Sequence, residues 1–292
     1  MKTSKPKHVG QFQTAPTIHT PKLPKVKMVA TTKATLGIGI AAMLIAGPAI
    51  PVALADEQTG DDLPTVQIFK KVKDTYASMI TYSDEGCVVI TMDESSVINF
   101  STRLARTNFY LIEWKRVGES TYPATSTRSH AVWSSSAGDF LQADVGVQFQ
   151  VNRKIALAQA NVYSGGVTAT VPGLFFDQQL EEEPIDDLVF SVTQLADEQV
   201  GNISCYVFTR GAMGTTNMLW IGKQDFLIHK VRTVISTKAI RTAASKSRIG
   251  PETVSMLQGL TWTETHTNIV LNKQFSRSDF VPLFPLFQSS ED

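Results

Sequence analysis

The chain has 292 residues, 42% hydrophobic and 18% charged, with 27 basic and 27 acidic side chains. That balance is uneven, because the first 55 residues hold seven lysines and no acid, leaving 20 basic against 27 acidic residues, a net charge of −7, for residues 56–292. An acidic body without a basic stripe argues against nucleic acid as a partner, and 237 residues suffice for one large β domain.

The basic leader runs into an apolar stretch, Leu36 to Ile45, then Gly47-Pro48 and Ala53-Leu54-Ala55. A charged start, about ten apolar residues and a small-x-small site are the three parts of a secretory signal peptide, too short in the middle to span a bilayer comfortably. Residues 1–55 are therefore expected to be removed near Ala55, with Met28 as an alternative start, leaving a soluble periplasmic or otherwise exported product. An uncleaved anchor ended by Pro48 and Pro51 is the competing reading.

Asp62 to Ile80 has Pro64 in its first turn and Ile68, Phe69, Val72, Tyr76 and Met79 at helical spacing, with Lys70, Lys71 and Lys73 opposite. This amphipathic helix needs a surface to lie on. From Glu85 the period becomes two, and Glu85–Thr91, Val97–Arg106, Asn108–Arg116, His130–Ser134 and Phe140–Ala143 follow as strand candidates in an antiparallel meander. Ile98, Phe100, Thr102, Leu104 and Arg106 share one face, and Tyr110, Ile112 and Trp114 one parity. An arginine closing an apolar stripe needs partners if the stripe faces a dry interior; a strand-end arginine reaching solvent is the alternative.

Val151 to Ser164 is Ala-rich and helix-compatible, stopped by Gly165-Gly166. The apolar patch Val167 to Phe176 ends in Leu174-Phe175-Phe176 and should cover a sheet opening or pack on its face. The acidic run Glu181 to Glu183 with Asp186 and Asp187 reads as a solvated loop. Strands resume at Leu188–Leu195 and Asn202–Thr209. Asn217 to Ser236 reads as a hairpin about Gly222-Lys223-Gln224-Asp225, with Leu227, His229, Val231, Thr233 and Ile235 on one face and Lys230 and Arg232 on the other. Thr237 to Leu257 carries no clear pattern, Leu260–Leu271 is a Thr-rich strand, and Ser278-Asp279-Phe280 with Pro282 to Phe287 closes the chain.

Signs of catalysis are absent. There is no G-x-S-x-G, H-E-x-x-H, phosphate-binding glycine loop or Rossmann fingerprint. Glu264 and His266 would share a strand face, but two ligands do not make a zinc site, and a polar strand face explains them as well. No metal, cofactor or enzymatic activity is expected. Cys87 and Cys205 are the only cysteines; a bridge across a loop this long would stabilise by roughly 4 kcal/mol, and two buried thiols on strands that never meet is the alternative.

Three stretches carry a family resemblance. Leu219-Trp220-Ile221, the turn and Phe226-Leu227-Ile228 resemble the late hairpin of bacterial exported proteins related to the periplasmic lipoprotein carrier LolA. Leu104-Ala105-Arg106-Thr107-Asn108-Phe109 is similar to the carrier's strand-end "Lys-Arg-Pro-Asn" signature, with Thr107 in the proline's place and Ala105 in the lysine's. Ala156 to Phe176 looks closest to an uncharacterised branch of the same superfamily.

The resemblance covers nearly all of residues 62–288. It implies a mainly β fold with a helical lid, a single domain over 56–292 built as a curved antiparallel half-barrel around an apolar cavity. It further implies a lipid, lipoprotein acyl chain or other apolar ligand, held without catalysis. Ile98, Phe100, Leu104, Tyr110, Ile112, Trp114 and Trp133 are then the wall candidates, Phe175 and Phe176 the lid plug and Arg106 the latch. Ordinary core packing is the other reading of Trp114 and Trp133. An envelope-stress sensor or assembly module binding an envelope protein is the rival function.

Overall fold

The computed structural model describes residues 63–92, 95–117, 129–144, 146–176, 192–245 and 251–283. The leader with its cleavage site, the acidic run at 181–187 and the segment after 283 lie outside the described residues.

The first element is α1 (Thr65–Ser78), which buries Ile68, Phe69, Val72 and Tyr76, the stripe its spacing predicts. Six strands follow as a meander: β1 (Thr81–Thr91), β2 (Ser95–Ala105), β3 (Tyr110–Val117), β4 (Ser129–Ser135), β5 (Gly138–Ala143) and β6 (Gly146–Gln150). Helices α2 (Arg153–Ser164) and α3 (Thr170–Phe176) come next. A second meander comprises β7 (Thr193–Val200), β8 (Ile203–Ala212), β9 (Thr215–Gly222) and β10 (Ile228–Ile235), then α4 (Thr237–Ser245), α5 (Pro251–Met256) and β11 (Leu260–Leu271), with a 3₁₀ turn at Arg277–Phe280.

All eleven strands form one antiparallel sheet in the order β6-β5-β4-β3-β2-β1-β11-β10-β9-β8-β7, curved but unclosed, with β6 and β7 at its edges. The two meanders join through β1 and β11, the first and last strands, at the centre of the sheet. The fold is the half-barrel with covering helices that the sequence leads one to expect.

Alternation sorts the strands onto two faces. The inner, concave face carries Tyr82, Val88, Ile98, Phe100, Leu104, Tyr110, Ile112 and Trp114, packed against residues of α1, α2 and α3 in one apolar core. The outer face carries two smaller clusters, one around Leu111, Trp133 and Phe280 and one around Cys205, Val207 and Trp220.

The structure adds elements that the sequence leaves unassigned and corrects one alternation. The apolar patch ending at Phe176 contains a helix, α3, and the unassigned stretch from Thr237 yields α4 and α5. The short edge strand β6 has no counterpart in the reading of the sequence. At the central hairpin the β9–β10 register shifts between Ile228 and Lys230, so Ile228 and Val231 both reach the inner core and the simple alternation through His229 fails. The turn itself is as predicted: Asp225 Oδ1 accepts from Leu227 N at 3.0 Å and Asp225 Oδ2 lies 2.9 Å from His229 Nε2.

Cys87 and Cys205 are separate thiols, not a disulfide. Cys87 lies on β1 and Cys205 on β8, and β11, β10 and β9 stand between them. Three intervening strands at about 4.8 Å spacing put the pair far beyond the reach of a bridge. Burial pushes the Cys205 thiol up to about 11, which makes it inert.

Candidate functional site

The concave face has a rim and a floor, each with its own polar anchor. At the rim, β2 turns into β3 through Arg106-Thr107-Asn108, where Ala105 N donates to Phe109 O and Asn108 takes a left-handed φ of 68°. Asn tolerates that conformation better than most residues. The tight turn holds Arg106 over the end of α1.

Its Nη2 donates to Tyr76 O at 2.7 Å and its Nε to Met79 O at 3.1 Å, carbonyls at the C-terminal end of α1, where Tyr76 O also accepts from Met79 N. A cation there also meets the negative end of the helix dipole. The same guanidinium lies 4.5 Å from the centre of the Phe175 ring in α3. Arg106 thus binds backbone of α1 and covers the side chain of α3, joining both helices to one strand turn. Beside it, Arg153 lies 3.8 Å over Phe176 and donates to Asn108 Oδ1 at 3.1 Å.

The connection from α2 to α3 lies against the inner face. Gly165 caps α2 in the left-handed region, and a Cβ on Gly166, at φ 101°, would overlap the Trp262 indole. The Gly-Gly pair therefore sets how closely this connection approaches the sheet.

At the floor, directly beneath this connection, stands a group the strand patterns do not reveal. His266 on β11 has Nδ1 2.6 Å from Asp84 Oδ2 and Nε2 3.1 Å from Glu264 Oε1, and all three side chains are fully buried. The first contact is a hydrogen bond; the second is close but poorly aligned, leaving Nε2 without a hydrogen-bond partner among the described residues. Tyr82 donates to Asp84 Oδ2 at 2.8 Å, and Thr170, the first residue of α3, donates to Glu264 Oε2 at 2.9 Å.

Strand register makes this meeting possible. Gly86 and Val88 of β1 pair with His266 and Glu264 of β11, and Asp84, at the irregularity between Ser83 and Glu85, shares their inner parity and lies diagonal to His266. Gly86 pairs with both Phe100 and His266, and a Cβ there would strike the Phe100 ring. Phe100 can thereby lie edge-on to the imidazole, 5.5 Å between ring centres.

Burial alone would push the His266 imidazole down. Its hydrogen bond with Asp84, its contact with Glu264 and the charges of both carboxylates outweigh that and hold it up to about 10. The floor therefore carries a protonated imidazole between two acidic side chains. A histidine protonated through the neutral range is not a general base. Among the described residues no group of three or more His, Cys, Asp or Glu could hold a metal ion.

Of the wall candidates, Ile98, Phe100, Leu104, Tyr110, Ile112 and Trp114 all lie in the inner core with Phe175 and Phe176 of α3. Trp133 is a correction: it follows the opposite parity on β4, faces outward and stacks on Phe140 at 5.4 Å in the cluster capped by Phe280. Glu264 and His266 are a second correction, since they occupy the buried centre and not a wet strand face. The signal that could have marked the floor is Asp84 itself, a charge on the Tyr82–Val88 stripe.

No family model matches the chain, and no curated protein matches it. Among solved structures it is similar to LprF from Mycobacterium bovis, at 10% identity over 73% of this chain and 94% of that one, TM-score 0.37. It is also similar to a LolA superfamily protein from Nitrosomonas europaea, at 7% identity over 76% of this chain and 99% of that one, TM-score 0.32. A third likeness is to the MucA/MucB complex of Pseudomonas aeruginosa, at 7% identity over 75% of this chain and 60% of that one, TM-score 0.40. Among the described residues no helix is long and apolar enough to cross a membrane.

Proposed function

We propose that residues 56–292 form a single exported, non-catalytic binding protein. It takes a lipid, a lipoprotein acyl chain or another apolar ligand onto the concave face of its half-barrel. The supporting observation is the way α3 covers that face. The helix is seven residues long, its buried side chains are Val171, Pro172 and Phe175, and a single hydroxyl, that of Thr170, ties it to Glu264 of the sheet.

Such a segment can be displaced by another apolar body of similar size, since hydrophobic burial is non-directional. Arg106 is then the latch that joins α3 to the end of α1, and Ile98, Phe100, Leu104, Tyr110, Ile112 and Trp114 are the surface a ligand would meet once Phe175 and Phe176 withdraw. The imidazolium at the floor has no role as a base in this reading.

Native followed by denaturing mass spectrometry of the gently purified protein, with a lipid extract run alongside, tests the proposal. Co-purifying acyl-chain ligand released on denaturation is the expected result. A clean protein mass that persists after incubation with envelope lipids would overturn it and point to a protein partner.

A further inference from the structure

The floor of the concave face gathers more acceptors than donors. Asp84 and Glu264 bring two carboxylates to one imidazolium, all three fully buried. Asp84 Oδ2 accepts from both Tyr82 and His266, whereas Asp84 Oδ1 has no partner among the described residues. Glu264 Oε2 accepts from Thr170, and Glu264 Oε1 faces His266 Nε2 without an aligned hydrogen bond. Nearby, the fully buried Ser164 at the end of α2 also leaves its hydroxyl unpartnered among the described residues. The next residue, Gly165, approaches Val88, which pairs in register with Glu264.

This inference rests on the reading that α3 leaves the concave face to admit an apolar ligand. When α3 leaves, Thr170 takes its hydroxyl with it, and Glu264 Oε2 joins Asp84 Oδ1 as a buried acceptor with no donor. A buried carboxylate oxygen stripped of its donor is strongly unfavourable. A wholly hydrocarbon ligand would leave both oxygens so, and an anionic headgroup would bring further acceptors, and no donor, to a site already short of donors.

We propose that the floor formed by Asp84, Glu264 and His266 is a headgroup receptor. It selects apolar ligands whose polar end donates a hydrogen bond and bears no negative charge, the hydroxyl or amine of the ligand taking the place of Thr170. Free fatty-acid carboxylates are the ligands it disfavours.

Displacement of a fluorescent apolar probe, N-phenylnaphthylamine, from the full protein near neutral pH would test this with three ligands of equal chain length: dodecanol, dodecylamine and laurate. Dodecanol and dodecylamine should displace the probe at concentrations about tenfold or more below laurate, as a carboxylate that offers no donor to buried acceptor oxygens requires. Glu264→Gln, which keeps the shape and puts an amide donor in place of one acceptor, should narrow that gap. Thr170→Val, which removes only the lid's donor, should raise the apparent affinity for dodecanol severalfold.

Laurate displacing as well as dodecanol would overturn the headgroup receptor and leave apolar binding intact. A Thr170→Val protein with unchanged dodecanol affinity would overturn the replacement of one hydroxyl by another. If the probe binds nowhere and no ligand is taken up, the apolar-binding reading itself falls, and the receptor with it.

Discussion

The rim and the floor of the concave face both hold α3, by different physics. At the rim, Arg106 is half-buried and works by donating to backbone carbonyls at a helix end. At the floor, His266 is sealed between Asp84 and Glu264 with no access to water. The difference teaches which anchor can be opened. A half-buried guanidinium exchanges its carbonyls for water at small cost, whereas a buried carboxylate can give up a donor only for another donor.

The largest effect should come from emptying the floor. His266→Ala leaves two buried carboxylates facing each other and should destabilise by about 3–5 kcal/mol, read from the midpoint of urea unfolding. A loss below about 1 kcal/mol, the range of an exposed ion pair, would show that the two anchors are alike.

Next comes pH. The folded value of His266, about 10, stands above the ordinary 6.5. Its contribution is complete below about pH 6.5, declines as pH rises, and is gone above about pH 10. The other titratable groups facing it are Asp84 and Tyr82 on β1, Glu264 on β11 and Tyr76 on α1. Burial holds both tyrosines above the usual phenol range, so they stay neutral through this window. Denaturant midpoints should therefore fall from pH 7 to pH 10 by an amount equivalent to a few kcal/mol, and a flat profile would remove the buried imidazolium.

Opening the rim should do less. Arg106→Leu loses two hydrogen bonds to carbonyls and the stacking on Phe175, about 1–3 kcal/mol together. Its sharper signature is functional, a changed rate of ligand uptake or release by stopped-flow. Kinetics identical to the parent protein would mean that Arg106 braces α1 without latching α3. The smallest effect concerns the thiols: reductant should leave the melting temperature unchanged, and a drop of several degrees would mean that Cys87 and Cys205 are bonded after all.

The rim was legible and the floor was not, for a reason visible in the residues. Arg106 stands at the end of an apolar stripe, and a charge there announces itself. The same alternation displays Ile98 to Leu104, Tyr110 to Trp114 and the buried stripe of α1. Thr263-Glu264-Thr265-His266, by contrast, reads as a wet strand in any local window. Its partner is Asp84, 182 residues away, and the pairing of β1 with β11 that brings the two together is not encoded in local periodicity. Trp133 failed for a related reason: an aromatic on β4 declares burial but not on which face. The helices after Thr237 were hidden by Ser and Thr, which favour turns and caps as readily as helix interiors.

The pairing of β1 with β11 also sets the order of events when the chain folds. Each meander is made of neighbouring hairpins and can form as soon as its own residues are available. The seam between them closes a loop of nearly the whole domain, and long-range pairing is intrinsically slow. The buried ion triad straddles that seam, so its charges leave water only when the last strand arrives. In pulsed hydrogen exchange during refolding, the amides shared by β1 and β11 should be the last protected, after those within either meander.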